Sequence, residues 1–337
     1  MIPHNKPTLG SEEDAAALRV LASGWLAQGQ EVEQFEAALC AYLGLPDGHA
    51  VAVSSGTAAL YLALWGLGGA GKVIGLPVYA CAALRNAVTL VGGTQVYLDV
   101  GPQTPNVDIA EAGSHSIDIL IAASMYGLPC GVDAQRRYRL IEDVAQAIGS
   151  TVNGTAVGLH GEVGIFSFYA TKLCTTGGQG GAVVSRDRAL VDAIRDYRQF
   201  DCRHDRQPRF NFQMTDLQAA IGKAQLQKLP DFLARRAALF EIYRGAGLDM
   251  LDGVTPGYAP VRYRAVMRTE QPARVIQALA DAGIRAIVPL ERWELLDDDD
   301  RYPLAAQLSE TTVSLPLYPL LAYEDARRIA AIAREAA

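Results

Sequence analysis

The 337-residue sequence predicts an α/β fold: a large domain on a mainly parallel sheet sandwiched by helices, then a smaller α+β C-terminal domain. Three observations predict it. From residue 49 to about residue 200, short apolar runs alternate with stretches rich in alanine and leucine at helical spacing, the pattern of βαβ units. One run, Ile141-Glu142-Asp143, ends in carboxylates, as strands do where open α/β sheets place their ligands. After Pro230 the order loosens to helix, strand, helix, strand and helix, which divides the chain into 1–229 and 230–337.

Composition narrows the function. The net charge is −7 and the lysines and arginines are thinly spread, which argues against a nucleic-acid partner. The five cysteines are far apart and form no CxxC pair, so neither a disulfide framework nor a structural zinc site is expected. A reducing cytoplasm fits this usage. No apolar run reaches the length of a membrane span, and residues 1–7 lack a signal core. The five histidines show no zinc spacing, and the acidic run 297–300 lacks the alternating ligands and glycine of a calcium loop. No metal is expected.

In chain order, Ser11 with Asp14 reads as a capping box opening a helix that ends near Gly24, and a second helix covers 31–43 before Gly44. Between them Trp25 is a hydrophobic anchor or a pocket wall. A strand over 49–53 then switches to a helix at Ser54-Ser55-Gly56-Thr57-Ala58. Free N–H groups and the positive dipole end at this switch suit an anion, with the Thr57 hydroxyl adding a donor; a plain helix cap is the alternative. Residues 66–71 formally match GxGxxG, but a helix precedes them and a strand follows, so they read as a connector. A helix over 81–91 and strands over 95–98, 117–122 and 138–143 continue the alternation. Asp143 is a ligand at a strand end or a cap for the next segment.

The run Ile165 to Phe168 enters a loop carrying Lys172 and four glycines before a second strand-like run at 182–185. A lysine among aromatic and small neutral residues is partly desolvated, which favours the neutral amine that a Schiff base needs. A surface lysine in a glycine turn is the alternative. A helix over 188–200 leads to Arg198, Arg203, Arg206 and Arg209, a diphosphate-binding or simply solvated segment. Helical pattern over 216–229 breaks at Pro230 and resumes to about 244. Strands over 261–267 and 284–288 and helices over 271–283 and 322–336 complete the chain.

Five ordered motifs give these pieces a common meaning: Ser23-Gly24-Trp25-Leu26, Ser55-Gly56-Thr57-Ala58-Ala59-Leu60, Glu142-Asp143-Val144-Ala145-Gln146-Ala147, Phe166-Ser167-Phe168-Tyr169-Ala170-Thr171-Lys172, and Asn211-Phe212-Gln213-Met214-Thr215-Asp216 with its continuation to Ala220. Together with Ser314-Leu315-Pro316-Leu317-Tyr318-Pro319 they resemble, over nearly the whole chain, the DegT/StrS-type sugar aminotransferases of the fold-type I pyridoxal-phosphate enzymes. The resemblance implies a large domain with a mainly parallel seven-stranded sheet. It implies pyridoxal 5′-phosphate as cofactor, Lys172 as its Schiff-base lysine and proton carrier, and Asp143 as the partner of the pyridine nitrogen. Gln146 would face the ring hydroxyl, and Gly56, Thr57 and Ala58 with Ser167 would hold the phosphate. Asn211 would reach the neighbouring subunit's phosphate, which implies a homodimer with shared active sites.

The sequence departs from the family pattern in three places. Cys81, counted here among the cofactor-binding residues, stands where an aromatic often stacks on the ring, with Tyr79 as a substitute. Gln179 replaces a usual glutamate, with an extra glycine before it, and Gln213 replaces a usual arginine. These changes point to an unusual substrate. The implied reaction moves an amino group, from glutamate, to the keto carbon of a nucleotide-linked sugar. The alternatives are a sugar dehydratase-like enzyme, which Lys172 weighs against, and a non-catalytic regulatory member.

Overall fold

A computed structural model describes residues 1–297 and 300–337. Two helices, α1 (Ser11–Ser23) and α2 (Gln30–Leu43), lead to β1 (Ala50–Val53), α3 (Gly56–Gly66), β2 (Val73–Pro77), α4 (Ala83–Val91) and β3 (Thr94–Leu98). Next come α5 (Ile109–Ser114), β4 (Ile119–Ala123), β5 (Arg139–Asp143) and a small hairpin of β6 (Thr151–Val152) and β7 (Thr155–Ala156). They are followed by β8 (Val163–Ser167), β9 (Gly181–Val184), α6 (Arg188–Arg198) and α7 (Asp216–Gly245). The C-terminal part holds β10 (Tyr258–Ala259), β11 (Ala265–Arg268), α8 (Pro272–Asp281), α9 (Pro303–Thr311), β12 (Thr312–Leu315) and α10 (Tyr323–Ala336).

The central sheet has seven strands in the order β1-β9-β8-β5-β4-β2-β3. The run from β8 to β3 is parallel, whereas β9 is antiparallel to both β1 and β8. Helices cover both faces, so the strands are buried on both sides and read as continuous apolar runs. Alternate residues still divide between two cores. Val51, Val53, Ile165 and Val183 face the α3 side, while Ala50, Ala52, Phe166 and Val184 face α2 and the first half of α7. A third core joins Leu239, Phe240 and Tyr243 of α7 to α8, α10, β11 and β12. No helix among the described residues is long and apolar enough to cross a membrane.

Several expectations change. Pro230 does not end a helix: α7 is one 30-residue helix that contains it. Leu226 and Leu229 before it and Phe232 after it are buried, and this packing outweighs the roughly 3 kcal/mol that an interior proline costs. The cap of α1 is Gly10 rather than Ser11, and the Gly10 N–H donates to Glu13 Oε2 at 2.7 Å. Glu13 is buried and also receives Lys228 and Gln225 of α7, so α7 sets where α1 begins. Residues 284–288 make only isolated bridges, Ile284 to Ile2 and Ile287 to Ser314, instead of a strand. The glycine-rich stretch 66–71 is a helix-to-strand connector, as read. Of the acidic run 297–300, Asp298 and Asp299 lie outside the described residues.

Candidate active site

The carboxyl ends of β5 and β8 and the N-terminus of α3 open onto one cleft of about 310 Å³. Ser55 Oγ caps α3 by accepting the Ala58 N–H at 3.1 Å, which leaves the Gly56 and Thr57 N–H groups without helical partners. The backbone is close-fitted here. A Cβ on Gly181 would sit 2.3 Å from the Ser55 carbonyl oxygen, and one on Gly56 would sit 2.9 Å from Ser167 Cβ. Only glycine lets β9 and β8 hold this helix start so near the sheet.

Asp143 ends β5 and is buried. One oxygen, Oδ1, accepts the Ala145 N–H at 2.9 Å; Oδ2 has no partner among the described residues. Burial holds this carboxyl above its usual range, against the opposing pull of the Ala145 N–H and the Lys172 charge. Three residues on, Gln146 Oε1 accepts the Tyr126 N–H at 2.8 Å. That bond fixes the amide so that its NH2 end, otherwise only 3.7 Å from Met125 Sδ, remains a donor.

Lys172 follows β8 in a turn closed by its own N–H to the Tyr169 carbonyl at 2.9 Å. Phe168 N–H and Ala170 N–H donate to the carbonyls of Gly180 and Gly178, which holds the glycine loop as the far wall of the turn. The Lys172 amine lies 5.1 Å from the Tyr263 ring centroid. From the start of the chain, Asn5 Nδ2 donates to the Thr171 carbonyl at 3.0 Å.

Gly56, Thr57, Cys81, Asp143, Gln146, Ser167 and Lys172 are thus brought to one cleft, with Gln179 on its wall. Ala58 is not on its surface; its side chain is buried in the core. Asn211 lies outside this cleft on the surface, where its side-chain oxygen accepts the Gln213 N–H at 3.0 Å. Tyr79 does not serve as a ring-stacking substitute. It is fully buried, with its hydroxyl 2.7 Å from that of Tyr126. Nor is the arginine segment an open cationic patch. Arg198 is buried against Glu36, and Arg203 and Arg209 pair with Asp196 and Asp205. Trp25 is largely exposed, with its Nε1 donating to the Gln28 carbonyl at 3.4 Å.

Sequence reasoning missed Asn5, Tyr126 and Tyr263. Each reaches the site from a distant segment, so no local pattern marks it.

The donor set suits a phosphorylated pyridine aldehyde: free helix N–H groups and hydroxyls for the phosphate, a buried carboxylate with one open oxygen, and an amine. A sequence profile described as the DegT/DnrJ/EryC1/StrS aminotransferase family matches residues 7–334. The chain is 32% identical over 350 residues to the erythromycin biosynthesis sensory transduction protein EryC1 of Saccharopolyspora erythraea, covering 96% of this chain and 94% of that one. It is also 32% identical to the dTDP-3-amino-3,4,6-trideoxy-alpha-D-glucose transaminase of Streptomyces venezuelae, covering 97% of this chain and 92% of that protein. The crystal structure of the aminotransferase TlmJ from Streptoalloteichus hindustanus superposes with a TM-score of 0.91 at 29% identity, covering 100% of this chain and 98% of that one. The chain therefore belongs to the DegT/DnrJ/EryC1/StrS aminotransferase family, and its cofactor is pyridoxal 5′-phosphate.

Proposed function

We propose that this aminotransferase moves an amino group from L-glutamate to the keto carbon of a nucleotide-linked sugar, with Lys172 and Asp143 as its catalytic residues. The observation that carries this reading is the convergence of the Lys172 amine, the buried Asp143 carboxylate and the open start of α3 on one cleft. The transaminase name of the Streptomyces venezuelae relative supports the substrate class. Bound pyridoxal phosphate supplies an electron sink for the carbon that carries the amine.

The chain's own residues then divide the work. Gly56 and Thr57 N–H groups, with the Thr57 and Ser167 hydroxyls, bind the phosphate where the α3 dipole favours an anion, and Ala58 backs that turn from the core. Asp143 would keep a proton on the pyridine nitrogen, and Gln146 would donate to the ring hydroxyl oxygen. Cys81, on the cleft wall, would face the ring where an aromatic would stack. Lys172 would hold the cofactor through its amine and would carry the proton at the reacting carbon.

Asn211 belongs to the site of a second copy in a homodimer that shares its active sites. The exposed Phe210 beside it extends a cluster with Tyr61 and Phe212, an apolar surface suited to that contact.

An absorption spectrum of the protein with pyridoxal phosphate, taken before and after glutamate is added without an acceptor, tests the first half-reaction. Conversion to the pyridoxamine form is expected, and keto-sugar nucleotides should restore the starting spectrum. A Lys172→Ala protein that turned over at the parent rate would sink the assignment.

A further inference from the structure

Arg264 is the arginine whose surroundings the site described so far leaves unexplained. Its Nη1 is enclosed in protein and has no hydrogen-bond partner among the described residues. Arg136, Arg198 and Arg236 also leave one nitrogen orphaned, but each is held elsewhere: Arg136 by Glu162, Arg198 by Glu36 and the Ala52 carbonyl, and Arg236 by the carbonyls of Tyr263 and Leu317. Arg264 makes no hydrogen bond and no ion pair with any described residue. An enclosed guanidinium nitrogen left in this state is costly, because it gives up hydration and gains nothing for it.

Its position ties it to Lys172 through the Tyr263 ring. The guanidinium carbon is 5.8 Å from the Tyr263 ring centroid, and the Lys172 amine is 5.1 Å from the same centroid. The two cations therefore lie within about 11 Å of each other. The Arg264 charge is also felt at Tyr79, Tyr126 and His4. Tyr126 in turn anchors Gln146 on the cleft floor. Glu294 acts on the same two tyrosines, but its Oε2 is taken by the Glu291 N–H at 2.9 Å and it forms no ion pair with Arg264. The neighbourhood of Lys172 on this side thus holds Arg264, Arg236 and His4 with no carboxylate paired to Arg264.

We propose that Arg264 is a substrate-positioning residue that receives a carboxylate of the amino donor, so that the missing counter-charge arrives with each donor molecule. This rests on the aminotransferase reading above. Arginine's planar fork matches a carboxylate in two parallel hydrogen bonds, and a partly enclosed setting strengthens such a pair. A separation of at most about 11 Å is within the span of a small amino acid, whose amine would meet Lys172 while a carboxylate reaches Arg264. In a chain that has Gln213 where relatives' pattern has arginine, such a residue would also set donor choice.

The test uses the full chain loaded with cofactor and the variants Arg264→Gln, Arg264→Met and Arg264→Lys. Spectral titration with glutamate, without acceptor, should show half-conversion shifted upward by about 10- to 100-fold in the Gln and Met variants. Lysine should recover part of the loss. Calorimetric titration with glutarate, a dicarboxylate that cannot react, should show the same ranking, and dTDP should bind all four proteins equally. The cofactor spectrum without donor should not change.

Glutamate and glutarate binding unaltered in the variants would overturn the proposal. So would a selective loss of dTDP, which would assign Arg264 to the diphosphate of the acceptor instead. Failure of the parent protein to convert at all with glutamate would reject the donor named under the proposed function, whereas a converting parent with indifferent variants rejects only the role of Arg264.

Discussion

The Lys172 amine sits over the ring of Tyr263, 5.1 Å from its centroid, although Lys172 precedes α7 and Tyr263 follows it. Tyr263 is buried. Burial alone would raise its phenol, but the charges of Lys172 and Arg264 and a hydrogen bond from Thr171 bring it below its usual value. A ring at this distance steadies an ammonium by about 0.5–2 kcal/mol. Tyr263→Leu should therefore slow glutamate-driven conversion by about 2- to 30-fold with cofactor still bound, while Tyr263→Phe should stay near the parent. Single-turnover spectra separate the two, and an equal loss in both variants would move the effect from the ring to the hydroxyl.

Asp143 gives a prediction about the cofactor-free protein. Because burial raises its carboxyl, the folded state holds the proton more tightly than the unfolded state does. Its contribution to stability is then lost as pH rises from the ordinary carboxyl range through the raised value. Without cofactor, Asp143→Asn should melt at or above the parent at neutral pH, with the difference fading in acid. Cofactor affinity should fall in the same variant. Melting curves from pH 4 to pH 8, with and without pyridoxal phosphate, check both halves.

His4 behaves in the opposite sense. Burial, and then the charges of Arg264, Arg285 and Arg236, lower it from 6.5 to about 3. The unfolded chain therefore takes up a proton that the folded chain refuses. Stability from this residue is complete above pH 6.5 and is lost as pH falls toward 3, by up to about 1.4 kcal/mol per pH unit. His4→Asn should flatten the acid limb of a denaturation series. An unchanged slope would show that other groups set it.

Gly181→Ala tests the close fit between the sheet and α3. The added methyl would meet the Ser55 carbonyl at 2.3 Å, and backbone on both sides has little room to give. Overpacking of this kind costs about 1–3 kcal/mol. Since the displaced atoms carry the phosphate-facing N–H groups, cofactor affinity should fall by about tenfold or more, measurable by fluorescence titration.

Glu36 tests the support beneath the sheet. Its carboxylate accepts the Ala52 N–H at 2.8 Å and meets the buried Arg198, which itself donates to the Ala52 carbonyl at 2.7 Å. Removing one partner of a buried pair costs about 3–5 kcal/mol, so Glu36→Ala should lower the melting temperature sharply. Urea denaturation at fixed pH gives the size of the loss.

These cases also show what was legible in the sequence. The parallel strands were readable because burial on both faces makes them continuous apolar runs, and α3 because its serine cap follows a strand directly. Asp143, Gln146 and Lys172 stood in motifs that a resemblance could interpret. Tyr263, Asn5 and Arg264 were not readable, because what distinguishes them is a neighbour 91 or more residues away or the lack of one. Pro230 misled for a related reason: local propensity marks a break, and burial of Leu226, Leu229 and Phe232 overrides it.

The first residues of the chain form a tie across the molecule. Ile2 bridges to Ile284, the His4 carbonyl accepts the Leu317 N–H, and Asn5 reaches the turn that carries Lys172. These contacts span up to 313 positions of sequence, as in His4 to Leu317. Pairings between such distant segments form late and slow the search for the native state. The Asn5 contact needs only residue 171, but the His4 contacts wait for 314–317, so the tie beside the lysine turn is complete only after the C-terminal part has folded.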